Sequence, residues 1–244
     1  MSSWIVCPYP RSQPQIRLFC FAYAGGSAWI FRTWAELLPN TVEVCAIELP
    51  GRGKRMAEPA LNNLSQIIEN LGPELRPYLN LPFACFGHSL GALVMFELCR
   101  WLRQSFQLTP IHLWVSAAQA PHLLAEKSPI HTLPDPEFII ELQRYKGTPK
   151  NILNNAEMMA LVLPILRADF SVLETYRYQP SDPFRCPIIV FWGQQDTIIS
   201  QADVAAWQTH TCNFTLAAIA GEHFFIQQPS FPKKLVPKLT QLLN

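Results

Sequence analysis

Phe83-Ala84-Cys85-Phe86-Gly87-His88-Ser89-Leu90-Gly91-Ala92-Leu93-Val94 is an apolar run, a Gly-x-Ser-x-Gly turn and the start of a helical pattern. A strand entering and a helix leaving a turn of this kind form a nucleophile elbow, in which the serine sits on a strained, crowded bend. Gly87 and Gly91 supply clearance around that bend, and the helix N-terminus places positive dipole where negative charge would develop. Ser89 is therefore the candidate nucleophile. A turn that merely opens a helix, with an incidental serine, is the plainer alternative.

Outward from this segment, short β-branched and aromatic runs alternate with longer helical patterns. The strands expected are Arg17–Ala22, Val42–Leu49, Phe83–Gly87, Ile111–Ser116, Ile188–Trp192 and Phe214–Ile219. Several are apolar at successive positions, as in strands covered on both faces. Helices are expected near Ala28–Leu37, Leu64–Leu79, Gly91–Arg103, Ala202–Gln208 and Leu235–Leu243. Alternation of this kind predicts an α/β fold with a mostly parallel, doubly wound sheet. From Pro121 to Pro183 the rhythm breaks, with helical patterns at Pro136–Tyr145, Ala156–Leu163 and Leu166–Tyr176 but no convincing strand. Asp135 before Pro136 reads as a cap residue followed by proline in the first turn. This insertion is expected to form a helical lid over the ligand site of a single domain spanning residues 1–244. The alternative is that these helices simply complete the outer layer.

Composition narrows the possibilities. The chain has 244 residues, 49% apolar and only 15% charged, with a net charge of +1. A charge-poor, nearly neutral surface offers no broad field for nucleic acid or an anionic membrane. Disorder, collagen and coiled coil are excluded by the same figures. Twenty-two prolines against ten glycines point to rigid turns and interrupted helices. No apolar run is long enough for a membrane span, and Met1–Pro8 shows no signal-peptide pattern, so a cytoplasmic location is expected. Seven cysteines without a Cys-x-x-Cys pair read as core residues in a reducing compartment, with Cys20, Cys45, Cys85 and Cys186 in or beside strands.

A serine at its free pKa is a weak nucleophile and needs a positioned base with an orienting acid. Asp196, in Gly193-Gln194-Gln195-Asp196, follows one apolar strand, and His223, in Gly221-Glu222-His223-Phe224-Phe225, follows the next. Both thus stand at strand carboxyl ends, where sites of parallel sheets assemble. The rivals are His88, which the elbow should carry away from the site, His112 within a strand, and Asp182 and Asp203 farther from a strand end. Glu222 could tune His223, although neighbours on a loop usually point apart. The oxyanion hole needs two backbone donors. Leu90, after the nucleophile, is one candidate. Tyr23 is the other, with Ala24 next, on the loop Tyr23-Ala24-Gly25-Gly26.

Taken together, the chain resembles the type II (stand-alone, editing) thioesterases of polyketide and nonribosomal peptide synthesis, which have the α/β-hydrolase fold. The resemblance runs through Phe21–Ala28, Leu49-Pro50-Gly51-Arg52-Gly53 with Arg55, and Gly87–Ala92. It continues in Leu133-Pro134-Asp135, Gly147-Thr148-Pro149, Leu166-Arg167-Ala168-Asp169-Phe170 with Glu174-Thr175-Tyr176, Cys186-Pro187-Ile188 and Gly221–Phe225. The resemblance places Ser89, Asp196 and His223 in the family's triad. Two departures stand out: Glu222 where the family usually has glycine, and Tyr145-Lys146 before Gly147.

What the resemblance implies is hydrolysis of acyl thioesters carried on the phosphopantetheine arm of an acyl or peptidyl carrier protein. No metal or redox cofactor is called for, and a monomer is expected. Arg52, Lys54 and Arg55 form a candidate basic cluster for acidic carrier proteins. A malonyl-type acyltransferase shares Gly-His-Ser-Leu-Gly, but this chain lacks its early Gly-Gln-Gly motif, and that reading leaves Asp196 and His223 unexplained. A hydrolase of small apolar oxygen esters would keep the triad without the lid resemblance. A catalytically silent carrier-binding module would keep the scaffold without the chemistry.

Overall fold

The computed structural model describes residues 2–124 and 129–241. Seven strands form one sheet among the described residues: β1 (Ile5–Val6), β2 (Ile16–Phe21), β3 (Val42–Ile47), β4 (Phe83–His88), β5 (His112–Ser116), β6 (Ile188–Gly193) and β7 (Phe214–Ile219). Their order is β1-β3-β2-β4-β5-β6-β7, parallel throughout except for the antiparallel pairing of β1 with β3. This is the mostly parallel sheet expected from the alternation, as the α/β-hydrolase fold implied by the resemblance requires. The edge strand β1 was not foreseen, because two residues carry no periodicity to read.

Every residue of β3, β4 and β5 is buried, and strand parity shows why. Phe19, Phe21, Cys45, Ile47, Phe83, Cys85, Leu113 and Val115 point into one core, while Leu18, Cys20, Val44, Ala46, Ala84, Phe86 and Trp114 point into the other. Both faces need apolar residues because helices cover both. Helices α2 (Leu64–Leu75) and α3 (Leu90–Phe106) supply the first core, and α1 (Arg32–Leu37) and α8 (Val236–Gln241) the second. Helix α7 (Gln201–Ala205) follows β6. The expected helix Leu235–Leu243 starts one residue later, and its last two positions lie outside the described residues. Cys20, Cys45 and Cys85 are buried as expected, whereas Cys186 is only half-buried. No described helix is long and apolar enough to cross a membrane.

Between β5 and β6 lie α4 (Asp135–Tyr145), α5 (Lys150–Leu153) and α6 (Ala156–Glu174), which share a small core of Phe138, Leu142, Met159, Leu163, Leu166 and Phe170. Two expectations are corrected here. The patterns at Ala156–Leu163 and Leu166–Tyr176 are one helix that runs through Pro164. Pro164 and Ala160 are both exposed, so the carbonyl that loses its partner opens to water, while the buried face holds the helix together. Asp135 does not cap α4; it lies in the first turn and accepts a hydrogen bond from Arg167 at 2.6 Å.

The elbow depends on close backbone approach. A Cβ on Gly91 would lie 2.3 Å from the Phe21 carbonyl oxygen and 2.4 Å from that of Ala22, both main-chain atoms of β2 and its loop. Gly91→Ala is therefore expected to destabilise the protein by about 1–3 kcal/mol, seen as a Tm lower by roughly 2–12 °C. An unchanged melt would show that the α3–β2 contact is looser than this packing.

Candidate active site

Ser89 joins the end of β4 to the start of α3 with φ 53° and ψ −119°. A non-glycine residue persists in such backbone only where its surroundings over-determine it, and such residues cluster at functional sites. The surroundings here are specific. Ser89 N–H donates to the Ser116 carbonyl at 2.8 Å, and the Ser89 carbonyl accepts from Ala92 N–H at 2.9 Å. Its side chain faces a cavity of about 230 Å³.

His223 follows β7 and lines the same cavity. Its Nδ1 lies 2.8 Å from Asp196 Oδ2, and the Asp196 side chain has no solvent exposure. The other carboxylate oxygen of Asp196 accepts the amides of Ile198 and Ile199 at 2.8 and 3.0 Å. Burial pushes the Asp196 pKa up, but the His223 hydrogen bond and these amides outweigh it and hold the carboxyl below its usual value. An ionised Asp196 accepts only, so Nδ1 of His223 carries the proton and Nε2 is left as an acceptor. The ring is set edge-on to Phe224 and His88, at 4.9 and 5.4 Å between centroids.

Leu90 is the first residue of α3, where an N–H has no intrahelical acceptor. Tyr23 and Ala24 line the cavity with Ser89 and His223. The Tyr23 ring packs on Phe224, and its hydroxyl accepts from Gln227 Nε2 at 2.9 Å. The five residues singled out from the sequence are thus gathered at one end of the sheet, with Asp196 behind His223.

The rivals separate cleanly. His88 is wholly buried, with Nδ1 2.8 Å from Ser116 Oγ; burial, and then the nearby His223, hold its pKa well below the usual value. His112 is buried in the interior strand β5. Asp182 is exposed. Asp203 accepts from Gln119 at 2.8 Å and forms a capping box with Ser200 at the start of α7. The Glu222 carboxylate turns to Lys146 Nζ, with both oxygens at 3.0 Å. The residue that caps the end of α4 thus pairs with the neighbour of His223. The pair is 60% exposed on both sides, a setting in which ion pairs contribute about 0–1 kcal/mol.

The proposed basic cluster is overturned. Arg52 is buried against Asp169, and Arg55 is buried against Glu58 and over the Trp4 ring, leaving Lys54 exposed. Guanidinium groups paired in this way present little charge to a partner.

Asp169 and Glu174 were not singled out as site residues. Asp169 lies within a run whose neighbours Ile165, Leu166, Ala168 and Phe170 are buried, and an acid on such a face is the signal that marks it. Glu174 lines the cavity and accepts the amides of Ile130 and His131, each at 3.0 Å. The rest of the cavity wall is mainly apolar, with Leu93 from α3, Leu142 from α4, and Leu166, Phe170 and Leu173 from α6.

Comparison with known proteins gives the family. A family model described as a thioesterase domain matches residues 16–241. The gramicidin S biosynthesis protein GrsT of Aneurinibacillus migulanus is 44% identical over 232 residues, covering 95% of this chain and 91% of that protein. The thioesterase PikA5 of Streptomyces venezuelae is 37% identical, over 91% of this chain and 80% of its own. Among solved structures, the type II thioesterase BorB from the borrelidin biosynthetic cluster superposes with a TM-score of 0.88. It is 33% identical and covers 99% of this chain and 98% of its own.

Proposed function

The chain belongs to the thioesterase family, and from that premise we propose that it hydrolyses acyl thioesters on the phosphopantetheine arm of acyl or peptidyl carrier proteins. The setting we propose is polyketide or nonribosomal peptide synthesis, with editing or release as the task; GrsT is named for gramicidin S biosynthesis and BorB is a type II thioesterase of the borrelidin biosynthetic cluster. The single observation that carries the chemistry is Ser89 on its strained elbow, sharing a mainly apolar cavity with a His223 whose tautomer is set by Asp196.

The steps follow from these atoms. Nε2 of His223 takes the Ser89 proton as Oγ attacks the thioester carbonyl. The tetrahedral oxyanion is held by the N–H groups of Leu90 and Tyr23. Collapse expels the pantetheine sulfur, which leaves as the thiol with the proton from His223. Water, deprotonated by the same nitrogen, then attacks the acyl-serine; the free acid departs and Ser89 is restored. Protons move through His223 alone, so the cycle calls for no cofactor.

The helices between β5 and β6 act as the lid over this cavity, since α4 and α6 supply much of its wall. The volume of about 230 Å³ falls below the 300–1,000 Å³ usual for drug-sized ligands, so a short acyl group is the substrate that fits. A panel of carrier proteins loaded with acyl groups from acetyl to dodecanoyl tests this. Release is expected to be fastest for the short members, and Phe170→Ala to move the optimum toward longer chains. Equal rates across the panel would remove the cavity as the source of preference, and faster cleavage of matched oxygen esters would favour an ester hydrolase instead.

A further inference from the structure

The loop after β2 is held from a distance. Gly26 N–H donates to the Tyr23 carbonyl at 2.8 Å, and Gly25 takes φ +74°, the left-handed position that a turn of this type requires. Gly25 N–H is donated to Asp169 Oδ2 at 2.7 Å, across 144 residues of sequence. Arg52 grips the same carboxylate as a fork, Nη1 to Oδ2 and Nη2 to Oδ1, both at 2.8 Å. The two side chains are 5% and 0% exposed. Farther along the loop, Ala28 N–H donates to the buried Glu48 at 3.1 Å. Leu166, nearly one turn before Asp169 on α6, packs on Gly25 so closely that a Cβ there would lie 2.8 Å from its Cδ2.

A buried ion pair adds little net stability over apolar residues of the same volume, because desolvating both charges offsets their attraction. What this pair supplies is direction. A carboxylate gripped by a planar fork has one orientation, and the amide it accepts then has one orientation too. Gly25 and Gly26 are the two residues that close the turn on Tyr23. Building on the reading that Tyr23 is an oxyanion donor, we propose that Asp169, held by Arg52, is a positioning residue that sets the oxyanion loop from helix α6. The helix that walls the acyl cavity with Leu166 and Phe170 also aims the group that stabilises charge at the carbonyl. Acyl binding and transition-state stabilisation thereby share one rigid element.

The test measures kcat and KM on butyryl-coenzyme A, with folding followed by circular dichroism. The double variant Arg52→Met/Asp169→Leu removes both charges together, so that neither is left buried and unpaired. It is expected to fold and to lose about 100-fold in kcat, the scale of one misplaced oxyanion donor, with KM within about twofold. Asp169→Asn retains volume and an acceptor for Gly25 N–H, so it is expected to lose less, about tenfold. A folded double variant with wild-type kcat, or a loss confined to KM, overturns the proposal. Should the double variant fail to fold, wild-type kcat in Asp169→Asn overturns it equally. Tyr23→Pro, which deletes the donor itself, keeps the premise separate. Slow Tyr23→Pro with a fast double variant rejects Asp169 positioning alone, whereas full activity in folded Tyr23→Pro rejects the oxyanion reading and the proposal with it.

Discussion

Ser89→Ala is expected to lower kcat for acyl release from a carrier by about 10⁶-fold, the largest effect of any single substitution in the chain. His223→Ala should cost about as much, and the double variant no more than either. Nucleophile and base act as one unit, so once the attack is lost there is nothing further for the second substitution to remove. Ser89→Ala should also abolish labelling by a fluorophosphonate, which needs the same oxygen. The folded protein should change little, because alanine retains the Cβ and the main-chain bonds of Ser89 to Ser116 and Ala92. Single-turnover release from an acyl-loaded carrier measures the effect. Retained labelling and turnover in Ser89→Ala would reject the proposed mechanism, and absence of both in the parent would favour a silent binding module.

The second large effect is expected at Asp196→Asn, about 10⁴-fold in kcat with KM little changed. The carboxylate accepts from His223 Nδ1 and from two backbone amides. An asparagine can satisfy the amides with its oxygen but then points N–H groups at His223. The imidazole would have to place its proton on Nε2, where it can no longer accept from Ser89. A pH series adds an independent readout. The folded-state pKa of Asp196 is depressed, with burial opposing and the His223 and amide hydrogen bonds prevailing. Between that value and the unfolded one, near 3.9, the unfolded chain binds more protons, so stability rises with pH. The contribution is complete above the unfolded pKa and is lost as pH falls through the folded one. Asp196→Asn should lack this acid limb, and thermal melts from pH 2 to 6 would show it. A kcat within tenfold of wild type would demote Asp196 to a packing role.

Much of this was legible in the chain because it is local. The elbow glycines, the apolar strands and the order Ser89, Asp196, His223 are written in short windows, where period and turn chemistry set the backbone. Even there, local rules misread two places. Pro164 ends a helix on propensity grounds, yet α6 continues because its other face is buried. Asp135 is a suitable cap by sequence, yet its carboxylate has Arg167 as a partner.

Taken alone, the sequence determined the mostly parallel sheet with helices on both faces and the identity of the three groups the proposed chemistry uses. Only the tertiary structure decided where the charges went. Arg52 and Arg55 read as a surface patch until the packing turned them inward, one of them onto a carboxylate 117 residues away. Glu222 and Lys146 became one pair across 76 residues. The physical reason is range. A hydrogen-bonded turn or a pleated strand is specified by residues within a few positions of one another. A buried ion pair exists only where the whole fold removes water from both partners at once, and no window of sequence holds that condition.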